Sequence, residues 1–169
     1  MKGPNLKKNT PGLDRPEFAR QLENQQQGLN RLTVAEFLAN RRHYDALRKL
    51  KGTGRDPKGD AAQKVAREEA LADKIAELQL LDAKLSDRDA ATQAQGWLST
   101  QAALHDPDQV AGGHSETITG MGDARVNSSI GAQWPKRIKG LEAAIKKQAA
   151  GLSPQQQATT YLHVLLPFA

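Results

Sequence analysis

The chain contains no cysteine. That absence excludes disulfides, a thiol nucleophile and every Cys-ligated zinc centre, and it leaves the redox compartment undetermined. Aromatic residues make up only 4% of the 169 positions, too few for a platform on which single-stranded bases would stack. No stretch approaches the roughly 20 apolar residues that span a bilayer. The opening MKGPNLKKNTPG is basic but lacks an apolar core, so it is not a secretory signal. Any export would need machinery that does not read such a signal. Period-two alternation and β-branched runs are essentially missing, which disfavours sheet.

What is present is helical patterning. The length implies one domain, and at that size folding buries roughly 70% of the unfolded surface. Residues 1–13, rich in Gly, Pro, Asn and Lys, read as a disordered lead-in or linker cut from something longer. Asp14 with Pro16 and Glu17 marks a helix start, which fades through Gln25-Gln26-Gln27 and stops at Gly28. Thr33 and Glu36 form a capping box. They open a helix with Val34, Phe37, Leu38, Tyr44 and Leu47 on one face and Arg41, Arg42, Arg48 and Lys49 on the other. Residues 52–59 read as a loop. Leu71, Ile75, Leu78, Leu81 and Leu85 trace an amphipathic helix over 60–85. Ser86 caps another helix through Trp97 to about Leu104, and 111–127 reads as an irregular loop. Ile130, Trp134, Ile138, Leu141 and Ile145 restore the helical stripe, broken at Pro135. Ser153-Pro154 starts a last short helix, and the apolar end from Tyr161 to Phe168 docks on the core. The expected fold is all-α: a single compact domain of about six helices over 14–169, with irregular loops around the active site.

The net charge of +5 is uneven, with residues 1–60 and 111–169 basic and 61–110 acidic. An acidic middle between basic flanks suits a polyanion-binding protein whose carboxylate site takes a metal counter-ion, although solvated helix faces account equally well for the same charge.

His105-Asp106-Pro107-Asp108, followed by Gly112-Gly113, is the cluster best suited to chemistry. Among side chains, His suits proton transfer at neutral pH. A helix start explains part of the string, with Asp106 as N-cap, Pro107 at N1 and Gln109 at N3, but leaves His105 unexplained. As a site, His105 serves as general base and Asp108 as metal ligand or orienter of that base, with Asp106 and Glu116 as further carboxylates. The metal implied is a divalent ion of the Mg²⁺ type. His114 and Glu116 lie on a loop that either folds over the site or is simply solvated. Asn127 and Ser128 either cap a helix or offer amides and hydroxyls to a phosphate, with Gln133 further along the same run. Arg41 and Arg42 offer a basic face to a nucleic-acid backbone, a face that is more often merely solvated.

Three elements in order carry a resemblance: Gly28 to Arg41 (GLNRLTVAEFLANR), His105-Asp-Pro-Asp108 with Ala-Gly-Gly, and Asn127-Ser-Ser-Ile-Gly-Ala-Gln-Trp134. Together they resemble the polymorphic toxin type 15 domain, the HxxD-motif toxins of bacterial competition, over about residues 28–150. The resemblance implies an all-α nuclease that degrades DNA in the cytoplasm of a target bacterium. It also implies a parent effector, delivery by machinery such as type VI secretion, a cognate immunity protein (acidic, if it covers a basic DNA surface) and no membrane insertion. It places the HxxD residues on His105 and Asp108. A non-catalytic basic helical module and an RNase toxin are the competing readings.

Overall fold

Helix starts follow local capping chemistry in the computed structural model, which describes residues 1–6 and 12–167. The Thr33 hydroxyl accepts from the Glu36 amide while the Glu36 carboxylate accepts from Thr33 N–H, a complete capping box. Ser86 caps through the Asp89 amide, and Ser153 forms a second box with Gln156. The elements run α1 (Arg15–Asn30), α2 (Val34–Lys51), α3 (Lys58–Leu81), α4 (Asp87–Ser99), β1 (Gln101–Leu104), a 3₁₀ turn (Gln109–Ala111), β2 (Gly120–Asp123), α5 (Ala124–Gly131), α6 (Trp134–Ala149) and α7 (Pro154–Thr159).

The domain is mostly α, with one departure. The helix expected to reach Leu104 stops at Ser99, and Gln101–Leu104 pairs antiparallel with Gly120–Asp123, Gln101 opposite Asp123 and Leu104 opposite Gly120. Four residues alternating over so short a span carry no periodic signal, so the partner strand decides the state. The loop expected over 52–59 also ends early, because Lys58 and buried Gly59 already belong to α3.

Phe18, Leu22 and Leu29 of α1, Val34 and Phe37 of α2, Val126 and Ile130 of α5 and the Trp134–Ile145 stripe of α6 form one core. The expected interruption falls at Ala132–Gln133, with Pro135 in the first turn of α6. Leu162, Val164 and Leu166 close the core while Tyr161 and Leu165 face out; Phe168 lies outside the described residues. The lead-in expected over 1–13 is packed where it is described. Gly3 N–H donates to Leu165 O at 2.7 Å, Leu165 N–H donates to Met1 O at 3.0 Å, and Leu6 and Leu13 are buried. The helices α3 and α4 form a hairpin beside this core, with Leu80 and Leu81 exposed.

Two expected features change role. Arg41, placed on a basic face, is only 4% exposed. Its guanidinium donates to Glu142 at 3.1 Å, to Asp45 at 3.1 Å and to Val110 O at 2.9 Å, tying α2 to α6 and the 3₁₀ turn. Burial is tolerated because each guanidinium nitrogen has a partner. Asp14 makes no side-chain cap, and Glu17 does not form the expected box. Its carboxylate instead accepts from Arg20 at 2.7 Å, Gln21 at 2.7 Å and the Asp123 amide at 3.1 Å, joining α1 to the start of α5.

The Arg20 hydrogen bonds, against the opposing effect of burial, pull the Glu17 carboxyl down to about 2. A depressed folded-state value means that the unfolded chain binds the proton first. The stability this network contributes is present above the ordinary value of 4.5 and is lost as pH falls towards 2. With allowance for the half-exposed Arg20, the contribution is on the order of 2 kcal/mol. Urea titrations of Glu17→Gln and the parent protein should differ at pH 7 and converge by pH 2; a constant gap across that range would refute the assignment.

Candidate functional site

The segment His105–Asp108 leaves β1 and crosses the buried face of α1. Gln25, only 3% exposed, holds it by three bonds. Its amide donates to His105 O at 2.7 Å and to Asp106 Oδ1 at 2.8 Å, and its carbonyl accepts from Asp108 N–H at 2.8 Å. The Asp106–Pro107 bond is cis. Gly28 does not end α1 as expected but sits inside it, where a Cβ would fall 2.2 Å from the Asp106 carbonyl. Gly113 is equally close, its missing Cβ 1.7 Å from Pro107 O. Two glycines therefore make room for the loop.

The helix expected to open here is only a single 3₁₀ turn, and its cap is Asp108 rather than Asp106. Asp108 Oδ1 accepts from Val110 N–H at 3.0 Å, whereas Asp106 gives its two oxygens to Gln25 and the Thr119 hydroxyl. Burial raises the carboxyls of both above the usual range. Thr119 and Gln25 oppose this at Asp106, while the Val110 amide and the Arg55 charge oppose it at Asp108. Perturbed carboxylates in a cleft are a mark of functional sites.

His105 is half-buried, and its Nε2–H donates to the Ser115 carbonyl at 2.8 Å. A carbonyl can only accept, so this bond sets the tautomer. Nδ1 is left as the basic nitrogen, with no hydrogen-bond donor among the described residues.

His105 and Asp108 line a cleft of about 260 Å³ with Arg55, Arg67, Asn127 and Ser128. A second hollow of about 330 Å³ continues from it past Tyr44, Gly131 and Pro135. Of the two readings of Asn127 and Ser128, the helix cap is overturned, because Asp123 caps α5; the two residues lie in its second turn and line the cleft. Gly131 ends that helix with its missing Cβ 3.2 Å from Asp108 Oδ2, which keeps space open around that oxygen. Asp108 Oδ2 accepts no hydrogen bond among the described residues. One carboxylate oxygen beside an amide and a hydroxyl suits a hard cation that keeps waters and takes substrate oxygens. Among the described residues, no three His, Asp or Glu converge as a closed protein cage for a metal.

The remaining expected residues lie elsewhere. His114 and Glu116 line a neighbouring cleft with His43 and Asp56, although the Ser115 carbonyl between them reaches His105. Gln133 is buried and donates to Ser129 O at 2.8 Å. Arg41 is internal, and Arg42 is exposed without lining the cleft. Sequence reading missed Gln25, which looked like part of a fading polar run, and Arg55, which looked like loop punctuation. The carbonyl of buried Gln109 accepts from Asp56 N–H at 3.1 Å, anchoring the Arg55 loop to the site. Only the density of turn residues around Arg55 hinted at an ordered loop.

The family model described as Novel toxin 15 matches residues 13–164, nearly the whole described chain. None of the curated proteins matches the chain.

Proposed function

The chain belongs to the Novel toxin 15 family, and from that premise we propose that the His105–Asp108 cleft hydrolyses DNA phosphodiester bonds in a competing bacterium. The observation that carries the reading is His105, whose Nε2–H is committed to Ser115 O at 2.8 Å, which leaves Nδ1 its lone pair on a ring that lines the same cleft as Asp108. That arrangement suits a general base. In the proposed reaction Nδ1 takes a proton from water as its oxygen attacks phosphorus. The bond to the leaving oxygen breaks as the new one forms, and that oxygen takes a proton from solvent water as it departs, while His105 returns its own proton to solvent. Arg55 supplies fixed positive charge beside the phosphoryl oxygens. A Mg²⁺-type ion at Asp108 Oδ2, with Asn127 and Ser128 alongside, would neutralise charge building on those oxygens. Asp106 and Glu116 are not placed to share it, the first being spent on Gln25 and Thr119 and the second lying in the neighbouring cleft. A toxin domain also implies a parent effector and a neutralising immunity protein. Delivery by type VI secretion into the target cytoplasm belongs to the same proposal. Among the described residues no helix is long and apolar enough to cross a membrane.

Supercoiled plasmid incubated with purified protein and Mg²⁺ should be nicked and linearised, and EDTA should stop the reaction. Asp108→Asn keeps the bond to the Val110 amide but loses the charge, and should require more Mg²⁺ for any residual cleavage. EDTA-resistant cleavage of RNA with intact plasmid would instead indicate attack by a 2′-hydroxyl and overturn the DNA reading.

A further inference from the structure

The reaction cleft does not end at Pro135. Tyr44, Val110 and Pro135 are shared between the hollow beside Asp108 and a groove of about 330 Å³ between α2 and α6. Along that groove Arg48, Lys139 and Lys146 are exposed, facing Asp45 and Glu142 as the only carboxylates of the lining. Those two carboxylates are already engaged. Buried Arg41 bonds both, and Lys146 pairs with Glu142. Arg48 and Lys139 are left without a carboxylate partner among the described residues. The other end of the cleft differs. Beyond Arg67 the lining balances Lys64 and Arg67 against Asp60 and Glu68. Of these two ends, then, the α2–α6 groove carries the excess of positive side chains and the Arg67 end is balanced.

We propose that the α2–α6 groove is a binding track for the phosphates flanking the scissile bond, with Arg48 and Lys139 as its main contacts. This rests on the DNA reading of the cleft. The track touches backbone and not bases. Its one aromatic, Tyr44, is wedged against Gly54, where a Cβ would fall 2.3 Å from the ring, and Arg41 stacks 5.2 Å from the ring centre. A single ring already in contact with Gly54 and Arg41 makes a poor stacking platform for splayed bases. The predicted ligand is duplex DNA bound through its backbone without sequence preference.

The test is fluorescence anisotropy of a labelled 20-base-pair duplex in EDTA, titrated with the full chain at several salt concentrations. The double variant Arg48→Ala/Lys139→Ala should bind more weakly, and its salt slope should shrink by about 1.8, from about 0.9 per lost phosphate contact. Lys84→Ala/Arg88→Ala, on the far hairpin, should bind like the parent. An unchanged slope in the groove variant, with the parent still binding duplex, overturns the track and leaves the DNA reading standing. Absence of duplex binding by the parent overturns both. Equal weakening in the two double variants would show diffuse charge attraction and overturn the track.

Discussion

Replacing His105 with alanine should lower plasmid cleavage by about 10²- to 10⁴-fold, the range a positioned general base contributes. The substitution deletes two things, the basic Nδ1 and the Nε2–H bond to Ser115 O, and a second variant separates them. Glutamine at this position retains an N–H donor at about the reach of Nε2 but has no basic nitrogen. His105→Gln should thus be as inactive as His105→Ala while melting closer to the parent. The lost hydrogen bond is worth only about 1 kcal/mol in stability, so neither variant should unfold. If His105→Gln keeps most of the activity, the ring holds the loop rather than moving a proton, and the mechanism fails.

Gly28→Ala should be among the most damaging single-methyl changes in the chain. In a helix interior that substitution ordinarily gains about 1 kcal/mol. Here the new Cβ would stand 2.2 Å from the Asp106 carbonyl carbon and oxygen and 2.5 Å from Pro107 N. These are backbone atoms, locked by Gln25 and Thr119, and cannot swing aside as a side chain would. Overpacking of this kind costs typically 1–3 kcal/mol and at times more; against fixed backbone atoms the upper figure applies, and after the gain of about 1 kcal/mol a net loss of about 2 kcal/mol is expected. For a domain of this size that lowers Tm by roughly 4–8 °C. The loop that moves carries His105, so cleavage should fall as well. Gly96→Ala in α4 is the matched control, because no atom lies within 4 Å of its missing Cβ; it should raise Tm slightly. Equal effects of the two substitutions would show that the loop does not bear on α1 as described.

These outcomes trace how far the chain could be read without its fold. Thr33 with Glu36, Ser86 with Asp89 and Ser153 with Gln156 act across three residues, so their pairing is visible in the string itself. The stripe from Ile130 to Ile145 and its break before Pro135 were legible for the same reason. His105 and Asp108 stood out because imidazoles are few and the spacing is short. Asp106, in contrast, was read as the cap of the next helix, and the cap fell instead to Asp108. Their roles were settled by Gln25 and Thr119, one distant along the chain and the other on the far side of the loop.

By itself, then, the sequence determined the helical class and most helix starts, and it singled out the pair of residues on which the proposed chemistry rests. These depend on backbone propensity and contacts between near neighbours. Only the tertiary structure decided that Gly28 admits a loop rather than ending a helix, that Arg41 is an internal tie and that Gln101–Leu104 is a strand. It also brought Arg55 to the cleft and turned Nε2 of His105 onto Ser115. Each of these depends on an atom brought close by packing, and composition and periodicity carry no record of which distant groups will meet.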